Sequence, residues 1–142
     1  MKKYYAHSTK GGEKNWQLLK EHLENVSQLA GSYASCFGAE GWGNLAGSLH
    51  DDGKYSNSFQ DKLKGMSLHV DHSTAGAQIA TKLFGNKGRL LGYVSAGHHG
   101  GLPNGGSNAD VTSLMGRLAK DIPNFDAFYE EIFLPDQLPE LN

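Results

Sequence analysis

Five of the chain's seven histidines stand beside a carboxylate or where helical spacing turns them inward: His22, His50 followed at once by Asp51, His72, and the adjacent pair His98-His99. Neutral imidazole together with ionised carboxylate is the donor set of manganese, iron, cobalt, nickel and zinc, and six such groups are too many for one tetrahedral ion. They fit two divalent ions that share Asp51. Ions held roughly 3.5–4 Å apart clamp the attacking and leaving oxygens of a phosphodiester and turn a bridging water into hydroxide at neutral pH. The chemistry indicated is phosphodiester hydrolysis, with Asp51 as its centre. Lys54, one turn past His50, would offer a point charge to a phosphate oxygen.

These groups must be positioned by helices. Apolar residues at Trp16, Leu19, Leu23, Val26, Ala30, Tyr33 and Phe37 alternate spacings of three and four, which predicts one amphipathic helix from Trp16 to Phe37 with His22 beside its buried stripe. A second helix is predicted over Trp42–Asp52, with Leu45, Ala46, Leu49 and His50 facing inward and Gly53 as its stop. Ser58–Leu63 reads as a short helix. Asp71 or Ser73 should cap the next, which runs to Phe84 with Ala75, Ile79 and Leu83 inward and His72 in its first turn. Protonated histidine is unfavourable at that end of a helix, so a neutral, ligating ring suits His72. Arg89–His99 carries Leu90, Leu91, Val94 and His98 at helical spacing before Gly100-Gly101 and Pro103 end it. Thr112–Lys120 and Pro123–Phe133 are predicted as the last helices, and Leu134–Asn142 as irregular tail. No two-residue alternation appears, so the fold class is all-α, a single domain. Cys36, Trp16 and Trp42 are expected in the packed interior, and His69 in a loop.

Composition narrows the function classes. With 13 basic and 15 acidic side chains the formal charge is −2, which argues against a general nucleic-acid coat protein. Any nucleic acid must be held locally. The single cysteine cannot form an internal disulfide, and no apolar run reaches the ~18–20 residues of a membrane span. The N-terminus lacks a secretory signal, so a cytoplasmic protein with no membrane association is expected.

The string Leu49-His50-Asp51-Asp52-Gly53-Lys54 resembles the HD motif of the HD phosphohydrolase superfamily. Ala6-His7-Ser8, Phe59-Gln60, Val70-Asp71-His72-Ser73 with Ala75-Gly76-Ala77, and His98-His99-Gly100-Gly101-Leu102-Pro103 narrow the resemblance. In that order, across about Ala6 to Asn104, they are similar to the HD nuclease domain of the helicase-nuclease of type I CRISPR systems. The resemblance implies a compact helical bundle of the HD-domain type over residues 1–142. It also implies a metal-dependent nuclease that hydrolyses single-stranded DNA in CRISPR interference, beside a superfamily 2 helicase and an RNA-guided surveillance complex. Position by position, His22, His50 and Asp51 match one metal site, and Asp51, His72, His98 and His99 the second. Lys54 matches the family's lysine, which with Asp51 makes the catalytic pair. The implied cofactors are two divalent transition ions, manganese, cobalt, nickel or iron first, with magnesium or zinc as alternatives.

Several features depart from the family or extend beyond it. No G-x-x-x-x-G-K-[ST] loop is present, so the helicase would be another chain or a part outside this one. The family's further aspartate, on a helix downstream of the His-His-Gly-Gly stretch, has no counterpart before Asn142. The first site is then one ligand short and the family's C-terminal helices are lacking. Asp110, Asp121 and Asp126 are the carboxylates that could substitute. Asp52 replaces an apolar residue and, about 100° round from Asp51, is expected to face water. His7 matches the opening string, with a backbone partner expected in place of a metal. Two alternatives stand beside the nuclease: a phosphohydrolase of small nucleotides, and a truncated or degenerate metal-binding module acting through protein contacts.

Overall fold

The computed structural model describes residues Met1–Asn142, and the chain is mostly helical, as expected. Seven helices follow one another: α1 Leu19–Ser35, α2 Glu40–Leu49, α3 Asn57–Leu63, α4 Thr74–Phe84, α5 Arg89–Gly97, α6 Leu114–Leu118 and α7 Phe128–Glu131. Three short 3-10 turns intervene, at Glu13–Asn15, Asp52–Tyr55 and Gly85–Gly88. No helix is long and apolar enough to cross a membrane.

One expectation fails at the start of the chain. Tyr5–His7 (β1) and Gln17–Leu18 (β2) pair antiparallel, Tyr5 opposite Leu18 and His7 opposite Gln17. The segment predicted as the first turn of a helix from Trp16 is therefore extended, and α1 begins at Leu19, whose N–H donates to the Tyr4 carbonyl at 2.8 Å. Strands this short carry no alternation to read. They are held by side chains far away: Gln60 accepts from Tyr5 N–H at 3.0 Å and donates to Tyr5 O at 2.9 Å.

Helices α1 and α2 pack against each other through small residues. Gly31 and Ala34 are buried on α1, whereas Tyr33 and Phe37, expected in the core, are 69% and 74% exposed. A Cβ on Gly47 of α2 would lie 2.5 Å from Ser27 Cα, so the two backbones approach too closely for a side chain there. Close packing selects the glycine and alanine face, and Tyr33, some 200° round from Gly31, is turned out. Cys36 is likewise exposed rather than packed. On the other helices Leu83, Leu90 and Val94 also point outward, contrary to the periodicity, while Ile79 and Leu91 are buried.

The main core joins Ala6, Leu19, Leu23, Leu45, Leu49, Tyr55, Ile79, Ala80, Leu91, Phe128 and Ile132. Trp42 packs partly buried against it and donates from Nε1 to Pro139 O at 2.9 Å, tying down the irregular tail. Trp16 is half-buried, edge-on to Tyr5. Shorter helices than predicted close the chain, α6 capped by Ser113 and α7 spanning one turn.

Candidate metal centre

The second helix was expected to reach Asp52 but ends at Leu49, with His50 as its C-terminal cap and Asp51 opening the 3-10 turn. That break swings Asp51 inward, where it is 3% exposed. Gly53 does not stop the helix by a left-handed conformation. A Cβ on it would lie 2.5 Å from His72 Cα, so the glycine lets the chain before α4 press against the turn. Gly76 does the same for α4 and α2, since its Cβ would collide with the Leu49 carbonyl oxygen. Buried Ser95 of α5 sits between these elements, its hydroxyl facing Leu49 O at 3.1 Å and Ser73 O at 3.2 Å.

Four elements thus deliver their histidines to one carboxylate. Oδ2 of Asp51 lies 3.1 Å from Nε2 of both His22 and His50. Oδ1 lies 3.1 Å from Nε2 of His98, 3.6 Å from that of His72 and 4.0 Å from that of His99. The ligand atoms form two groups sharing Asp51, namely His22, His50 and Asp51, and Asp51, His72, His98 and His99, each within 4.8 Å. This is the partition that the sequence resemblance implied. Between histidines, His22 and His50 Nε2 are 3.2 Å apart, and His72 and His99 Nε2 are 2.8 Å apart.

The hydrogen bonds on the far side of the rings decide what those Nε2 atoms are. Nδ1 of His50 donates to Gly47 O at 2.7 Å, and Nδ1 of His98 to Ser95 O at 2.7 Å. A carbonyl only accepts, so in the neutral ring Nδ1 carries the proton and Nε2 presents a lone pair. Two lone pairs then face the Asp51 carboxylate, an arrangement of acceptors against acceptors. A cation between them removes the conflict, and a backbone carbonyl behind a histidine is the usual outer-sphere partner of a ligating ring. The donor set therefore fits divalent transition ions.

Burial alone would raise the Asp51 carboxyl. Without a cation the conflict is relieved when the His22, His50 and His98 rings also carry a proton on Nε2 and donate it to Asp51, which outweighs burial and holds the carboxyl far below the ordinary range. It stays ionised. Burial pushes the His72 ring down to about 4, against the pull of Asp51 and with Lys54 and His99 reinforcing it, so His72 is neutral at physiological pH. Lys54 is not solvated: its Nζ lies 2.8 Å from Asp51 Oδ2 and 3.3 Å from Ala6 O, and its side chain is 5% exposed. Its position makes it a counter-ion that fixes Asp51, and Gln60 secures it by donating to Lys54 O at 2.8 Å.

Asp52 corrects the sequence reading outright. It is fully buried, and neither carboxylate oxygen has a hydrogen-bond partner. Burial, with Asp51 beside it, pushes its pKa well up. The 3-10 turn replaces the helical 100° step, and rotates Asp52 into the core rather than into water.

His7 lies outside both ligand groups, its ring edge-on to His22 with centroids 5.0 Å apart. His69 is an exposed loop residue as expected. None of the substitute aspartates joins the centre: Asp110 accepts from Thr112 N–H and hydroxyl, Asp126 from Asn124, and Asp121 is exposed. The first group keeps three candidate ligands.

A polar network beside the centre escaped the sequence. Asp71 caps α4 from outside it, accepting from Ser73 and Thr74 N–H at 3.1 Å and from the Thr74 hydroxyl at 2.7 Å. Lys120 Nζ lies 2.7 Å from the same carboxylate. Arg117 donates to Ala96 O, Thr74 Oγ1 and Ser73 Oγ, pinning α6 to α4 and α5. Asp71 was legible as a cap. Its partners, 46 and 49 residues on, left no local signal. No protein-family model matches the chain, and no curated protein sequence does.

Proposed function

We propose that the chain is a metal-dependent nuclease domain of the HD type, hydrolysing phosphodiester bonds of single-stranded DNA, similar to the HD nuclease of type I CRISPR helicase-nucleases. The observation that carries this reading is Asp51, buried between two histidine groups whose fixed rings turn Nε2 lone pairs toward it. His22, His50 and Asp51 would hold one divalent transition ion, and Asp51, His72, His98 and His99 a second. Such a pair supplies Lewis acidity and a hydroxide nucleophile at neutral pH.

The protein's own groups do the rest. Lys54 fixes the Asp51 carboxylate at Oδ2, the oxygen that also meets His22 and His50, and offsets part of its charge. Carbonyls of Gly47 and Ser95 engage Nδ1 of His50 and His98, so that Nε2 is the ring atom turned toward a cation. Burial keeps His72 neutral for the same task. A superfamily 2 helicase and an RNA-guided complex are the partners this reading brings, since the chain has no phosphate-binding loop of its own.

Metal content by elemental analysis, together with cleavage of a labelled single-stranded oligonucleotide in manganese, cobalt or nickel, tests it. Two ions per chain and cleavage are expected for the wild type. Asp51→Ala should lower the rate by more than about a hundredfold, beyond the ~10–100-fold of an outer-sphere change. Cleavage unaffected by Asp51→Ala would overturn the proposal. Hydrolysis of deoxynucleotides with the oligonucleotide left intact would move it to the small-nucleotide phosphohydrolases.

A further inference from the structure

A cavity of about 720 Å³ opens beside the metal centre and runs away from it across the N-terminal end of α4 toward α6. Of the six candidate ligands only His72 and His99 line it, so the second ligand group faces this cavity and the His22–His50 group does not. Its walls carry Lys62, Arg117 and Lys120 against one carboxylate, Asp71. That carboxylate is already engaged by two backbone N–H groups, the Thr74 hydroxyl and Lys120. Arg117, 3.7 Å from the same carboxylate, shares it with Lys120 and otherwise donates to a carbonyl and two hydroxyls, so one anion serves two cations, and Lys62 is exposed without an ion-pair partner. The wall is therefore net positive by two on a chain whose formal charge is −2.

Resting on the phosphodiesterase reading above, we infer that this groove binds the phosphate backbone of a single-stranded nucleic acid next to the bond held at the metal centre, with Lys62 and Lys120 as its phosphate contacts. A mononucleotide would need only the metal centre. Fixed positive charge continuing beyond it serves a chain with further phosphates. Leu102 and Val111, both exposed on the same wall, give apolar surface for the bases. Arg117 fixes the groove's shape by joining α6 to the α4 and α5 ends that carry Ser73 and Ala96.

Binding of a fluorescein-labelled eight-residue oligo(dT) to the metal-free protein in EDTA, by anisotropy across a salt series, tests the inference without any turnover. Lys62→Gln with Lys120→Gln should weaken binding about tenfold near 0.1 M salt and flatten the log–log salt slope by roughly 1.4, two single-strand phosphates' worth. Lys82→Gln with Lys87→Gln removes the same charge from α4's far end and the turn after it, and should leave affinity unchanged. Equal effects of both double variants, or none from the first, would overturn the inference. So would thymidine monophosphate binding as tightly as the oligonucleotide, or a polyglutamate peptide competing equally, which would assign the groove to an acidic protein segment. Because no metal is present, a failure of metal-dependent cleavage sinks the nuclease reading alone. A cleaving enzyme with an indifferent groove sinks only this one.

Discussion

Two adjacent carboxyl groups show how burial acts in opposite directions according to what surrounds it. Asp51 and Asp52 are both out of water, yet Asp51 meets four histidines and a lysine within 3.6 Å, and Asp52 meets no polar partner at all. An unsatisfied buried polar group costs about 1–3 kcal/mol. Asp52→Ala should therefore stabilise the metal-free protein by about that amount at pH 7, measured by urea unfolding. The sign of the pH dependence follows from the raised carboxyl. Above the ordinary aspartate range the unfolded chain releases its proton while folded Asp52 retains it, so wild-type stability falls as pH rises through that window. The advantage of Asp52→Ala should grow from pH 4 to pH 7. A variant less stable than wild type at both pH values would show that Asp52 has a partner in solution.

At the scale of elements, the centre depends on three segments meeting within one residue's width: the end of α2, the 3-10 turn after it and the first turn of α4. Gly53 and Gly76 make that possible because the backbones of His72 and Leu49 occupy the space where Cβ atoms would stand. Gly76→Ala forces α4 away from α2, and overpacking of this kind costs about 1–3 kcal/mol. It should also lower metal affinity at least tenfold by isothermal titration, although residue 76 is not itself a candidate ligand, because His72 travels with α4. The same α4 end is braced by Arg117 and by Asp71, so the displacement cannot be absorbed by simple fraying. Unchanged metal affinity in a destabilised Gly76→Ala protein would separate helix packing from the geometry of the centre.

For the whole molecule the question is whether metal is needed for folding or only for chemistry. The main core is made from α1, α2, the Asp52–Tyr55 turn, α4, α5 and α7 together with Ala6 and Ile132, and the ligands lie at its margin. The protein should therefore keep its helical circular dichroism in EDTA, unlike small metal-nucleated domains. Metal binding the folded state alone adds about 2.7 kcal/mol at a hundred times the dissociation constant, a rise of roughly 10 °C in Tm for a chain of this size. Manganese or nickel should produce that rise, EDTA should reverse it, and Asp51→Ala should abolish it. A metal-induced rise that survives Asp51→Ala would place the binding elsewhere.

The sequence by itself determined the donor set, its order along the chain and the helical class, because ligating chemistry resides in residue type and helices longer than two turns leave a 3.6-residue period. His22, His50, Asp51, His72, His98 and His99 meet as their motifs implied. Only the tertiary structure decided which face of each helix is buried. Local periodicity records apolar residues, whereas the α1–α2 contact required small ones, and that requirement left Tyr33 and Phe37 outside and Gly31 within. The rotation of Asp52 came from a break in helix geometry one residue after His50. The two short strands and the Asp71–Arg117–Lys120 network rest on partners 46 to 55 residues away, and such pairings become physical only when the helices between them have packed.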